Sequence, residues 1–129
     1  MAKIEKFEDL ECWKAARELV KEIFLICSKK VLSKDFEMQS QIKRAGISTM
    51  NNIAEGFSRF HKKEFVRFLD FSQSSAGEVK SMIYILEDLE YITINEATSL
   101  HLKTDKTRNL TLGLIKYLSS TIKANNSQY

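Results

Sequence analysis

The chain has 129 residues, 43% of them apolar and 29% charged, with four glycines and no proline. That is the length of one domain, and its ample Leu, Ile, Val and Phe exclude wholesale disorder, collagen-like repeats and low-complexity scaffolding. Lys and Arg total 20 against 17 Asp and Glu, and a net charge of +3 is too mild to establish nucleic-acid binding by itself.

A chain without proline and with so few glycines lacks the turn formers that a sandwich or barrel needs, so long helices are expected. From about residue 7 to 29, Leu10, Trp13, Ala16, Val20, Ile23, Phe24 and Cys27 recur at three and four, the period of an amphipathic helix. A second helix is expected over about 35–56, after the Ser33-Lys34-Asp35 cluster. Met38, Ile42, Ala45, Thr49 and Ile53 share its apolar face, and Gly56 stands as a C′ residue just past its end. The third and longest, about 62–91, carries Phe65, Phe68, Ser72, Ser75, Val79, Met82, Leu86 and Leu89 at heptad-like spacing. Thr93-Ile94-Asn95-Glu96 then matches a capping box, opening a fourth helix over about 94–122. Its stripe, Ala97, Leu100, Thr104, Thr107, Thr111, Leu114, Leu118 and Thr121, is partly threonine, and the tail 124–129 is expected to fray. Linkers too short for crossovers make an antiparallel up-down-up-down four-helix bundle, one domain over 1–129, the expected all-α fold. Phe71, Ile83, Tyr84 and Ile85 on the third helix and Leu110, Leu112 and Ile115 on the fourth lie off these stripes. They imply either self-association or a broadened core stripe.

The chemistry on offer is sparse. His61 and His101 are not preceded by Glu at the three-residue spacing of a carboxylate-bridged metal bundle, and no His pair at i, i+4, no Cys-x-x-Cys and no phosphate-binding glycine loop occurs. No metal, no cofactor and no enzymatic activity are therefore expected. Both histidines are read as solvent-facing, Trp13 as a core anchor, and Cys12 and Cys27 as reduced packing groups. The two cysteines lie fifteen residues apart on one helix, roughly 22 Å at about 1.5 Å per residue, too far to bridge. With no apolar leader at the start and no apolar run long enough to span a bilayer, a cytoplasmic protein without a membrane partner is expected.

Charge is most uneven between Gln41 and Arg67, where Lys43, Arg44, Arg59, Lys62, Lys63 and Arg67 face only Glu55 and Glu64. Phe57, Phe60 and His61 are interleaved with them, a mixture suited to phosphate oxygens and exposed bases. The competing reading is a solvated corner whose cations point in several directions and whose phenylalanines turn into the bundle. The third helix also opposes its own dipole, with Lys62 and Lys63 in its first turn and Glu87, Asp88 and Glu90 in its last.

Three stretches resemble a known family. Phe7-Glu8-Asp9-Leu10-Glu11-Cys12-Trp13-Lys14-Ala15-Ala16-Arg17-Glu18-Leu19 resembles its opening F-x-x-L-x-x-W-x-x-A-x-x-L. Gln41-Ile42-Lys43-Arg44-Ala45, then Ser48, then Asn52-Ile53-Ala54-Glu55-Gly56 resembles its Q-x-x-R-A-x-x-S-I-P-x-N-I-A-E-G core. Glu64-Phe65-Val66-Arg67-Phe68-Leu69 with Ser75 and Glu78 resembles its E-F-x-R-F-L…G-S-x-x-E. On these residues the chain is identified as a member of the four-helix-bundle family of proteins encoded in intervening sequences of 23S ribosomal RNA genes, related to accessory proteins of diversity-generating retroelements. It departs from the pattern at Met50 in place of proline, at Ser74 in place of glycine, and at His61 where a serine would cap the third helix.

The resemblance implies a bundle that assembles into a homo-oligomeric ring, a pentamer, and by analogy a partner of RNA or DNA or of a nucleic-acid-processing protein. Asn52 and Glu55, with Arg44 and Ser48, are read as a polar stripe whose members satisfy one another. Two functional readings stand. In the first, Lys43, Arg44, Arg59, Lys62, Lys63 and Arg67, repeated around a ring, bind RNA or DNA. In the second, Phe57, Phe60 and Tyr84 contact a protein partner and the chain has no nucleic-acid affinity of its own.

Overall fold

The computed structural model describes residues 3–126 and contains four long helices: α1 (Glu11–Cys27), α2 (Phe36–Ser58), α3 (Lys62–Asp88) and α4 (Ile94–Asn126). Helix α1 packs on α2 and α4, and α3 packs on the same two, closing an antiparallel square. Among the described residues no helix is long and apolar enough to cross a membrane.

Local chemistry sets the helix ends. Phe7–Asp9 form a 3-10 turn and Leu10 is extended, so α1 starts at Glu11 rather than near Phe7. Asp35 caps α2 by accepting the Met38 N–H at 3.1 Å. Helix α3 stops at Asp88 because Glu90 takes a left-handed φ of 59°; the Glu90 N–H then bonds Glu87 O and the Tyr91 N–H bonds Leu86 O, both at 2.9 Å, a Schellman closure. The capping box opens α4 as expected: Glu96 N–H donates to Thr93 Oγ1 at 3.1 Å and Thr93 N–H to Glu96 Oε1 at 2.8 Å. Glu96 also accepts from Lys29 at 2.5 Å, tying the end of α1 to the start of α4, and its carboxyl is held below the usual range by that lysine and the Thr93 amide. Helix α4 runs through Asn126, and 127–129 of the tail expected to fray lie outside the described residues.

The core has two apolar clusters. One joins Leu19, Ile23 and Ile26 of α1 to Ile42, Val79, Ile83, Leu86 and Leu100; the other joins Leu10, Trp13 and Ala16 to Ile53, Leu69 and Leu118. Each fully buried Leu or Ile contributes roughly 1.5–3 kcal/mol. Between the clusters lies a belt of buried hydroxyls, Thr49, Ser72, Thr104, Thr107 and Thr111. The four threonines donate to carbonyls four residues back in their own helices, while Ser72 donates across the bundle to Thr49 O at 2.7 Å.

Several sequence expectations need correction. Phe24 is 43% exposed, because α1 turns Leu19 and Ile26 into the core instead. Leu89 is exposed, lying past the end of α3. Ile83 is fully buried, and Leu110 and Ile115 pack on the Trp13 cluster, whereas Phe71, Tyr84, Ile85 and Leu112 stay exposed. Gly56 is no C′ residue: α2 runs through it, its φ is not positive, and a Cβ there would meet Phe68 Cβ at 2.8 Å, Phe65 Cδ1 at 2.9 Å and the Phe65 carbonyl at 3.2 Å. Glycine is needed there for helix approach, because one of those neighbours is backbone that cannot yield.

Two glycine substitutions should therefore move stability in opposite directions. Gly56→Ala is expected to destabilise by about 1–3 kcal/mol through overpacking. Gly77→Ala, on α3 with open space around the added Cβ, is expected to stabilise by up to about 1 kcal/mol. Urea unfolding of both variants checks this, and equal signs would remove the close-approach argument.

Candidate nucleic-acid interface

The α2–α3 corner is built around a three-residue reversal. Arg59 N–H bonds Gly56 O at 3.2 Å and Phe60 N–H bonds Phe57 O at 3.4 Å; Phe60 takes φ 55°, and His61 is extended before α3 begins. A left-handed backbone costs a bulky L-residue about 1–2 kcal/mol, yet Phe60 has neither glycine's freedom nor burial in return: its side chain is 89% exposed. Its ring sits 6.5 Å from that of Phe57, which meets Phe65 edge-on at 5.9 Å. A row of rings thus runs from solvent at Phe60 into the Trp13 cluster, against which Phe57 and Phe65 pack.

The close approach at Gly56 also presents Phe68 to the end of α2. The Arg59 guanidinium lies 4.9 Å from the Phe68 ring centroid and pairs with Glu55 at 2.9 Å. Arg67 lies 6.0 Å from Phe68 and 5.4 Å from Phe71, and pairs with Glu64 at 3.3 Å. Both ion pairs are exposed and within one helix turn, so they hold the arginines weakly. Lys62 and Lys63 are exposed in the first turn of α3 and pair with no carboxylate among the described residues. His61 gives no side-chain cap, as expected from its place in the sequence. Beside this turn the amino-terminal segment closes one wall of a cleft of about 420 Å³, lined by Lys3, Ile4, Glu5, Phe57, Phe60, His61, Lys62 and Phe65.

The six basic residues do not form one patch. Arg59, Lys62, Lys63 and Arg67 share the corner, but Lys43 and Arg44 lie about 22–24 Å along α2 from Arg59 at about 1.5 Å per residue. Lys43 sits over Phe24, 4.9 Å from its centroid, and reaches Gln39; Arg44 donates to Ser40 Oγ at 2.6 Å. Nor do the three aromatics of the protein-partner reading share a surface. Phe57 is half-buried, and Tyr84 lies about 33 Å along α3 from Lys62, its ring 4.5 Å from that of His101.

The polar stripe on α2 exists with different partners. Asn52 donates to Ser48 O at 2.8 Å and Ser48 Oγ at 3.0 Å, and Ser48 shares a hydrogen bond with Ser75 Oγ at 2.8 Å, whereas Glu55 turns to Arg59. His101 is not solvent-facing: it is half-buried, its Nε2 has no partner, and burial, then the nearby Lys80, lowers its pKa. Burial pushes the Cys12 thiol up to about 11 despite a hydrogen bond with Thr111, and raises Cys27 as well. Neither is a ready thiolate. Among the described residues no group of three or more His, Cys, Asp or Glu could hold a metal ion. The sequence reading missed Lys3 and Ile4 as a cleft wall, and Phe65 and Phe68 as the seat of the corner; Gly56 was the signal that could have found the latter.

Residues 8–113 match the model of a family described as 23S rRNA-intervening sequence protein. Among solved structures the chain is similar to a protein of unknown function from the S23 ribosomal protein family of Bacteroides thetaiotaomicron, with a TM-score of 0.74 and 24% identity over 81% of this chain and 98% of that one. That likeness shows the fold. No curated protein sequence matches the chain.

Replacing His61→Ser should restore a capping box with Glu64, three residues on, and raise unfolding stability by about 1 kcal/mol. An unchanged urea midpoint would show that the turn cannot adopt the cap. The thiols should resist a disulfide reagent in the native state and react on unfolding. Because the folded pKa of Cys12 is raised, its contribution is complete below the unfolded value near 9 and should be lost as pH rises toward 11, read as a falling melting temperature.

Proposed function

The chain belongs to the family of 23S rRNA-intervening sequence proteins, and we propose that it is a non-enzymatic, self-associating bundle that binds RNA or DNA through its α2–α3 corner. One observation carries this reading: lysines and aromatic rings meet at a single cleft, with Lys3, Lys62 and His61 beside Phe57, Phe60 and Phe65. Cations contact phosphate oxygens irrespective of sequence, and rings offer a face to bases, so the combination suits a polyanion carrying aromatic groups. Arg59 and Arg67, stacked on Phe68 and held only by exposed glutamates, are placed to exchange those partners for phosphates.

Self-association is supported by Phe71, Tyr84, Ile85 and Leu112, which stay exposed on α3 and α4. A ring, with five copies the number implied by the family resemblance, repeats the corner and multiplies a charge that is small on one chain.

The test is anisotropy of labelled structured RNA and matched duplex DNA at low and moderate salt, with the sedimentation mass of the same sample. The expected result is salt-steep binding by a particle several times the 14.9 kDa chain. Lys62→Gln with Lys63→Gln should flatten the slope of log affinity against log salt by roughly 0.7–0.9 per lysine for each bound protomer. No binding at low salt overturns the nucleic-acid reading, an unchanged slope removes these lysines from it, and a monomer mass overturns self-association.

A further inference from the structure

We propose that Phe60 is a stacking platform for an unpaired base, so that the corner selects single-stranded nucleic acid over duplex; this rests on the reading of the corner as a nucleic-acid site. Phe60 occupies a left-handed backbone position where glycine would sit without strain, and the residue is 89% exposed. Folding gains little from that ring. Its ring neighbour is Phe57, tilted against it with centroids 6.5 Å apart, and Phe65 meets Phe57 edge-on at 5.9 Å. The left-handed turn sets where the ring leaves the backbone, and its faces stay open to a planar group.

The surroundings state what the planar group must carry. Arg59 precedes the ring in the chain, His61, Lys62 and Lys63 follow it, and Lys3 and Lys62 line the adjoining cleft with Glu5 as its one carboxylate, leaving cations in excess. An uncharged aromatic ligand would leave that excess of cations unpaired, whereas a base attached to phosphates supplies both a face for the ring and anions for the cations. The cleft, at about 420 Å³, has the size of a site for one small planar group with its attachments. Within a duplex each base face is covered by its neighbours, so the ring can reach a base face only where pairing is absent.

Phe60→Gly provides the test, because it removes the ring, keeps every cation and relieves the backbone; the variant should be at least as stable as the parent. The probes are a fluorescein-labelled unpaired RNA of about twelve nucleotides, the DNA strand of the same sequence, each annealed to its complement, and the same strands with abasic sites. The unmodified protein should bind the single strands more tightly than the duplexes. Phe60→Gly should weaken single-strand binding by about 5- to 100-fold and leave duplex binding within about twofold. Phe60→Trp should retain single-strand affinity, and abasic strands should bind the parent and Phe60→Gly equally. A preference between the RNA and DNA strands identifies the natural sugar, and either preference with these effects supports the proposal. Equal loss for strand and duplex, or loss that persists on abasic strands, overturns the platform. Unchanged single-strand binding overturns it too while leaving the corner a nucleic-acid site. Failure of the unmodified protein to bind any probe overturns the corner reading itself.

Discussion

The close packing of α2 against α3 is the constraint on which the rest of the molecule depends. Small or hydroxylated residues line the seam: Ala45, Ser48, Thr49 and Gly56 on one side, Ser72, Ser75 and Ala76 on the other. At Gly56 the helices approach until even a methyl group has no room. That approach brings Phe65 and Phe68 under the end of α2, gives Arg59 a ring to lie on, and fixes the turn through which Phe60 projects. The corner is therefore a product of core packing, and its rigidity is inherited from the seam.

The buried hydroxyls in the middle of the bundle look costly in isolation, since an unpaired polar group in an apolar interior is destabilising. Each is satisfied by a carbonyl. Threonines on α4 satisfy their hydroxyl protons on the preceding turn of their own helix, so a stripe that is polar in composition leaves no donor unpaired in the core. Ser72 differs, because its bond to the Thr49 carbonyl crosses between helices and pins α3 to α2 at one register.

Much of the architecture was legible because helical periodicity, a capping box at Thr93 and the lack of turn formers all point the same way. The failures are specific. On α1, Leu19 and Ile26 compete with Phe24 for the same three-four spacing, and only the positions of α2 and α4 decide which face turns inward. Gly56 carried two physical meanings, chain reversal and close approach; composition cannot separate them, and the reversal fell instead to Phe60, whose type gives no hint of a left-handed backbone. The six cations fall within one stretch of sequence but not in one place in space, because α2 carries Lys43 and Arg44 about four turns away from the corner. His101 was misplaced because its partners, Lys80 and Tyr84, come from another helix.

The reversed charge of α3 gives the subunit a polarity of its own. Lys62 and Lys63 stand at one end of the helix and Glu87 and Asp88 at the other; the antiparallel neighbours offset its backbone dipole, so the polarity comes from the side chains, cationic toward the corner. Cyclic symmetry leaves the axial component of such a vector unchanged from copy to copy. In a ring whose axis runs along the helices, the cationic ends of all copies would gather on one rim, and a polyanion approaching from solution would be turned toward that face before any contact formed.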